Sequence, residues 1–341
     1  MASQWAQWVN RWRDQLLDLP NVVGCGWGEK RTGGRKTGQQ GMVVLVRRKL
    51  PPDALKARER VPAVLGSVPT DVIEVGELRL LAAPMPQIRT VCTRPAPPGV
   101  SIGHVAVSAG TFGAVVRDAE TGEMLILSNN HVLANQTDGQ DGRAAVGDPV
   151  LQPGPYDGGN VAHDTIGHLL RFVPVRPLAE PAPCPVVQGA QRAIHTVLRL
   201  LFPAHKIQNS GRTPEDNLVD AAVARPVSPG VITPSILAVG PVQGVTEAEL
   251  GMPVKKSGRT TGLTRGEVTA LGATVTVGMG GGVVARFSDQ VVATPMAQPG
   301  DSGSLVLDEA NRAVGLLFAG SDQATVCNRI QNVLEALSVR F

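Results

Sequence analysis

The stretch FGAVVRDAETGEMLILSNNHVL, residues 112–133, decides how the chain folds. Phe112 to Arg117 alternates in the manner of a half-buried strand, Asp118 to Gly122 carries turn residues, and Met124 to Leu127 is a short apolar return. Two strand-like runs around an Asp/Thr/Gly turn predict a β-hairpin. The grammar recurs where Ala273–Val277 and Val283–Phe287 flank Gly278, Gly280, Gly281 and Gly282. That tip lacks the Gly-Lys-Ser/Thr ending of a phosphate loop and no helix follows it, so it reads as a hairpin turn. With 39 Gly, 27 Pro and 3% aromatic residues, the bulk of the chain reads as short strands and tight turns, a barrel or sandwich.

Outward from this β-rich body the pattern changes. Trp5, Trp8, Trp12 and Leu16 recur at helical spacing within Met1 to Leu19, which predicts an amphipathic helix, without the apolar core of a signal peptide. Asn21–Gly28, Gly41–Arg47 and Asp71–Val75 read as strands and Pro51–Arg60 as a helix, giving a small α/β domain over residues 1–81. Residues 82–99 are proline-rich and read as a linker, and residues 100–341 form the β domain. Gln188–Leu201 places Ile194, Val197, Leu198 and Leu201 on one helical face, so residues 173–214 read as a helical insertion.

Composition narrows the partners. A net charge of +3 with dispersed Lys and Arg leaves no nucleic-acid footprint, and no apolar run is long enough to span a bilayer. No membrane partner is therefore expected, and cytoplasmic residence follows as the default. The four cysteines, Cys25, Cys92, Cys184 and Cys327, are scattered and read as buried, unpaired thiols. His163, Asp164 and His168 match no helix-borne zinc pattern, so neither metal nor cofactor is expected. The Trp stripe and the helix Gln188–Leu201 are the surfaces on which a homo-oligomer would form.

Three segments carry chemistry. Gly300-Asp301-Ser302-Gly303-Ser304 is a glycine-bounded turn that exposes a hydroxyl and aims successive amides at one point. The N–H groups of Gly300 and Ser302 would then stabilise a developing oxyanion, each donor contributing about 3 kcal/mol. A serine hydroxyl is unreactive at neutral pH, and His131, at the end of the strand Met124–Leu127, supplies an imidazole able to take its proton. Asp220 is a lone carboxylate in the apolar run Asn217–Ala224, where burial is costly unless a cation or strong donor meets it. The chain order His131, Asp220, Ser302 is that of chymotrypsin-type enzymes and differs from that of subtilisins and α/β-hydrolases.

Lys256 to Gly266 (KSGRTTGLTRG), upstream of Gly-Asp-Ser-Gly, resembles the corresponding segment of the α-lytic and streptogrisin-type proteases. Gly147 to Gly159 (GDPVLQPGPYDGG), taken with Ser128–Leu133 and Asn217–Ala224, is similar to the intracellular trypsin-like proteases of the plant narrow-leaf type and their bacterial relatives. The resemblance implies an all-β protease domain of two six-stranded antiparallel β-barrels, chymotrypsin-like, behind the N-terminal α/β domain. It implies Ser302 as nucleophile, His131 as general base, Asp220 as its orienting carboxylate, and Gly300 and Ser302 as oxyanion donors. It further implies a specificity pocket walled by Met296, Ala297, Phe318 and Gly320, with substrate added as a strand along Gly315–Gly320. No Asp stands at the pocket base, so an apolar or small P1 side chain of a protein or peptide is expected. Lys255 and Arg265 stand where secreted relatives hold a disulfide, and Ser304 replaces a glycine. A non-catalytic binding module and an esterase-type acyl hydrolase are the competing functions, and the α/β pattern and proline-rich linker lead to the expectation that the N-terminal domain acts like the pro-regions of secreted relatives, assisting folding or shielding the cleft.

Overall fold

The computed structural model describes residues 4–32, 35–80, 88–178, 216–280 and 282–341. After a helix over Gln4–Leu17 come β1 (Val22–Thr32), β2 (Arg35–Val46), β3 (Val64–Leu65), β4 (Val68–Glu74) and β5 (Arg79–Leu80). The next strands are β6 (Ser101–His104), β7 (Gly110–Thr111), β8 (Ala114–Asp118), β9 (Met124–Ser128), β10 (Pro149–Leu151), β11 (Thr165–Phe172) and β12 (Ala222–Pro226). They are followed by β13 (Pro253–Gly258), β14 (Gly262–Gly280), β15 (Val283–Ala293), β16 (Leu305–Asp308), β17 (Ala313–Ser321), β18 (Ala324–Arg329) and the short β19 (Val339–Arg340).

These strands close into two antiparallel barrels of six strands. In the second, the order β13-β16-β17-β18-β15-β14 returns on itself because β14 also pairs with β13. In the first, β6, β10, β11, β12, β9 and β8 are hydrogen-bonded in turn. Its ring closes where β7 pairs with β6 and runs through Phe112, whose N–H donates to Val100, directly into β8. The hairpin read from residues 112–127 is present, with Ala114 opposite Leu127 and Arg117 opposite Met124.

The continuous apolar run of β9 has a simple cause, since successive side chains of a strand point to opposite faces. Ile126 enters the interior of the first barrel with Phe112, Val132, Val150 and Ile166. Leu125 and Leu127 face the other way, into a core shared with Leu305 and Leu316 of the second barrel and with Ile330, Val333 and Leu337 of the C-terminal helix. Both faces of this strand are therefore buried, and the barrels meet behind it.

The N-terminal sheet continues the second barrel. Strand β1 pairs with β14, Gly24 opposite Val275 and Gly28 opposite Ala270, and the sheet goes on through β2, β4 and β3. Glycine is needed in β1 because a Cβ at Gly28 would lie 2.6 Å from the Thr269 carbonyl. Val23, Leu45, Val75 and Leu78 share one core with Val275, Phe287 and Phe318 of the barrel. The helix Gln4–Leu17 buries Val9 and Leu16 and lays Trp5, Trp8 and Trp12 on the core around Cys25 and Met42, so the Trp stripe docks within the chain.

Pro51–Arg60 is not an α-helix but two 3₁₀ turns, Pro52–Ala54 and Ala57–Glu59, because the segment is largely exposed and has no apolar face to bury. Cys25 and Cys327 are buried free thiols as expected, whereas Cys92 is exposed. The helix Gln188–Leu201 and Cys184 lie outside the described residues. Within the proline-rich stretch, residues 88–99 are bound to the barrels: Ala96 is fully buried and donates to Val231, and Arg89 is buried.

Candidate active site

The candidate site lies between the barrels. His131 sits in a single helical turn, Asn130–Leu133, at the end of β9, and Asp220 lies two residues before β12. Because β9 and β12 are paired, Ser128 opposite Ala222, these two residues arrive side by side. His131 Nδ1 lies 2.5 Å from Asp220 Oδ2, and the His131 backbone amide donates to Asp220 Oδ1 at 3.1 Å. Asp220 is 1% exposed. Both carboxylate oxygens are thus engaged by one histidine, which fixes the imidazole with Nε2 facing away from the carboxylate.

A polar ladder holds the carboxylate in turn. The Asp220 amide donates to Asn328 Oδ1 at 3.0 Å, Asn328 Nδ2 donates to Gln290 Oε1 at 2.7 Å, and Gln290 Nε2 donates to the Leu218 carbonyl at 2.9 Å. From the other side, Asn129 Nδ2 donates to the Asp220 carbonyl at 2.7 Å. Asn328 and Gln290 come from adjacent strands of the second barrel, Gln290 opposite Asn328, so this barrel orients a dyad mounted on the first.

The turn Gly300–Ser304 precedes β16 and is anchored across the same junction. The Thr111 amide donates to the Ser302 carbonyl at 2.7 Å, and Thr111 Oγ1 donates to the Gly300 carbonyl at 2.8 Å. Ser128 Oγ donates to the Thr111 carbonyl at 2.8 Å, linking the turn to the strand that ends at His131. Gly300 has φ 94° and Gly303 φ 92°, the left-handed region that favours glycine. A Cβ at Gly303 would also strike Ser128 Oγ. The amides of Gly300 and Ser302 have no acceptor among the described residues, so two donors of this one turn stay available.

Ser302 and His131 are not hydrogen-bonded here. Ser302 Oγ donates to the Phe318 carbonyl at 3.4 Å, while His131 Nε2 is buried and has no partner among the described residues. Ser302 is fully buried and His131 is 8% exposed. Beside them β5 lies antiparallel on β17, Leu80 opposite Ala319 and Arg79 opposite Gly320. An N-terminal strand thus occupies the edge along which substrate was expected to add. A cavity of about 510 Å³ opens at His131, which lines it together with Glu77, Ser108, Ala109, Gln136 and Met279.

The four expected pocket walls separate. Met296 packs with Val254, Val268 and Leu317, Ala297 rests against the same core, and Phe318 turns its ring into the opposite core, 4.8 Å from the ring of Phe287. Phe318 and Gly320 therefore face the site by backbone alone, Phe318 through its carbonyl and Gly320 through its pairing with Arg79.

Sequence reading missed the group behind the nucleophile. Asp301 and Lys256 are both fully buried, with Nζ 2.9 Å from Oδ2. Burial holds the Lys256 ammonium below the ordinary lysine range, against the opposing pull of Asp301. Arg259 makes a bidentate pair with Asp157, Nε at 2.6 Å from Oδ2, and its amide donates to Thr111 Oγ1. This pair ties the two barrels together beneath the turn.

No family model matches the chain. Among curated proteins it is 42% identical to serine protease 2 of Streptomyces fradiae over 80 residues, 24% of this chain and 43% of that protein. It is 38% identical to streptogrisin-A of Streptomyces griseus over 104 residues, 29% of this chain and 33% of the relative. The chain spans less than half the length of the curated relatives it matches. Solved structures similar to it include a Nocardiopsis protease, with a TM-score of 0.44 at 18% identity over 72% of this chain and 97% of the other. A Cellulomonas bogoriensis chymotrypsin aligns with a TM-score of 0.43 at 19% identity, over 72% and 97% of the two chains. The resemblance to streptogrisin-type serine proteases seen in the sequence is met by both curated relatives, and the fold is the chymotrypsin-type double barrel.

Proposed function

We propose that the chain is a serine endopeptidase in which Ser302 attacks, His131 shuttles the proton and Asp220 orients His131. The observation that carries this reading is the His131–Asp220 contact at 2.5 Å, with Nε2 left unpartnered at the junction where the Gly300–Ser304 turn is anchored. In the proposed reaction Ser302 Oγ swings from the Phe318 carbonyl toward Nε2 and bonds to the substrate carbonyl carbon as its proton passes to His131. The carbonyl oxygen takes the charge between the Gly300 and Ser302 amides. Collapse expels the amine with the proton from Nε2, and water repeats the sequence on the acyl-enzyme. Apolar or small P1 side chains suit the surroundings of Met296 and Ala297.

Residues 1–81 form, in this reading, a domain that shields the cleft, and residues 100–341 the peptidase. The burial of Ser302 and the seating of β5 on β17 support shielding. Free thiols at Cys25, Cys92 and Cys327 suit cytoplasmic residence.

Labelling with a fluorophosphonate, read by mass spectrometry, tests the reading. Wild type is expected to be modified at Ser302, with no labelling in Ser302→Ala and at least about 1,000-fold slower labelling in His131→Ala. A folded chain that stays unlabelled even when it begins at Ile88 would instead be a non-catalytic module. Equal labelling rates for the full chain and the chain beginning at Ile88 would remove the shielding role. Hydrolysis of esters without hydrolysis of matched amides would turn the reading toward an esterase.

A further inference from the structure

We infer that the N-terminal sheet carries a binding site for an apolar chain ending in a carboxylate, in a cavity of about 260 Å³ between its strands and residues 50–61. Three neighbouring strands lay the floor. Val22 of β1 stands opposite Val46 of β2, and Val72 lies on β4, which pairs with β2. Leu50, Leu55 and Val61 close the space from the side, and the first two are only half-buried. The turn Ala57–Glu59 has no buried residue, so this segment covers the strands without filling the room above them.

Cations rim the cavity. Arg48, Lys49 and Arg60 line it beside a single carboxylate, Glu59. Residues 47–60 hold six cations against Asp53 and Glu59, in a chain whose net charge is only +3. Glu59 is turned to its own segment, where Oε2 accepts from the Lys56 amide at 3.3 Å. Lys49 Nζ is committed to the Val72 carbonyl at 2.8 Å, and Arg60 Nε to the Leu55 carbonyl at 3.1 Å. The Arg48 guanidinium and the Nη groups of Arg60 have no acceptor among the described residues. Asn21 nevertheless fixes where Arg48 stands, since Nδ2 donates to the Arg48 carbonyl at 2.5 Å and Oδ1 accepts from its amide at 3.2 Å.

A run of exposed cations is by itself a solvated face, whereas cations at the mouth of an apolar cavity select a ligand with both characters. A guanidinium meets a carboxylate in two parallel hydrogen bonds, and a neutral or cationic end would leave both arginines unmatched. The cavity has about the volume of eight or nine waters, enough for one terminal residue such as leucine or for a medium-length acyl chain. None of its lining residues belongs to either barrel. The site therefore does not rest on the peptidase reading, although cleavage after apolar side chains releases peptides that end in this chemistry.

Isothermal titration of the full chain tests the inference, with acetyl-Ala-Ala-Leu as its free carboxylate, the same peptide as its carboxamide, and decanoate. Ser302→Ala serves as the background, so that no peptide is turned over. The carboxylate is expected to bind at least about 10-fold more tightly than the carboxamide at low ionic strength, and to lose that advantage when Arg48→Ser and Arg60→Ser are combined. Leu55→Asp, which sets an anion in the wall, is expected to weaken binding about 10-fold or more. If the double variant does not fold, Arg48→Gln, whose side chain makes no bond within the chain, carries the test alone with a loss of about 3-fold or more. Decanoate that depends on the two arginines, beside a peptide that does not, assigns the site to free acyl carboxylates. Affinities unchanged by the arginine and Leu55 substitutions place the ligand elsewhere, the catalytic cleft included, and overturn the inference. Equal affinity for carboxylate and carboxamide overturns it as well, as does the absence of binding by both peptide and decanoate.

Discussion

Asp220 meets His131 twice, Oδ2 at 2.5 Å from the ring Nδ1 and Oδ1 at 3.1 Å from the backbone amide. A neutral amide cannot accept at both positions. In Asp220→Asn the side-chain oxygen can serve the backbone N–H, leaving the NH₂ to face Nδ1, which stabilises the imidazole tautomer carrying its proton on Nε2. That tautomer cannot accept from Ser302. Asp220→Asn is therefore expected to lower kcat about 10,000-fold with KM little changed and the circular dichroism spectrum retained. A loss below about 10-fold would mean that the contact does not set the tautomer.

Gly258 is required by its distance from the nucleophile turn, since a Cβ there would meet Asp301 Oδ1 and lie 2.7 Å from Ser304 Oγ. Neither atom is free to yield, for Asp301 is held by five donors and Ser304 Oγ donates to the Asp301 carbonyl at 2.5 Å. Gly258→Ala is expected to destabilise the fold by about 1–3 kcal/mol, as overpacking does, and to reduce turnover in the fraction that remains folded. Thermal unfolding followed beside peptide turnover checks both.

The polar ladder behind Asp220 yields a third expectation. Asn328→Leu leaves the buried Asp220 amide and Gln290 Oε1 without their partners, at a cost of about 1–3 kcal/mol for a buried unsatisfied group. Urea denaturation of the variant is expected to show that loss as a lower midpoint. An unchanged midpoint would mean that water replaces the asparagine.

Burial pushes the thiols of Cys25 and Cys327 up from 9.0 to about 12. The unfolded chain gives up these protons near 9.0 and the folded chain retains them to about 12. Stability from the two thiols is thus complete below pH 9.0 and is lost as pH rises toward about 12. Iodoacetamide at pH 8 is expected to alkylate the exposed Cys92 in the native protein and to reach Cys25 and Cys327 only after denaturation. Modification of Cys327 in the native protein would contradict its burial on β18.

Local patterns were legible in the sequence and long-range ones were not. The hairpins at residues 112–127 and 273–287 follow from strand runs on either side of turn residues, all within a few residues of one another. His131, Asp220 and Ser302 stood out because each breaks its surroundings, an imidazole after an apolar strand, a carboxylate in an apolar run, a serine between glycines. Lys256 gave no such signal: beside Lys255 on β13 it looks like a solvated strand lysine, and its partner lies 45 residues away. The pairing of β1 with β14 joins residues about 250 positions apart and rests on glycines that locally argue against a strand. The family resemblance implied Phe318 as a wall of the pocket, and the side-chain alternation of β17 sends its ring into the core with Phe287.

Residues 88–99 supply the last expectation. Arg89 donates from Nη1 to the Gly99 carbonyl at 2.9 Å and to Ser257 Oγ at 2.8 Å, next to Lys256, and Gly99 must be glycine because its φ of 98° lies in the left-handed region. Ala96 donates to Val231 at 2.8 Å and accepts from Thr233 at 3.0 Å, so the segment is stitched to the barrels at several points. A chain beginning at Ile88 keeps these contacts, and one beginning at Val100 loses them while both lose β1 to β5 equally. Two buried hydrogen bonds from a charged donor make the shorter chain at least about 2 kcal/mol less stable than the longer one. Loss of Arg89 also removes one of the two cations near Asp301, so fluorophosphonate labelling of the folded fraction is expected to be slower in the chain beginning at Val100. Equal stability and equal labelling of the two truncated chains would show that residues 88–99 only connect the N-terminal sheet to the barrels.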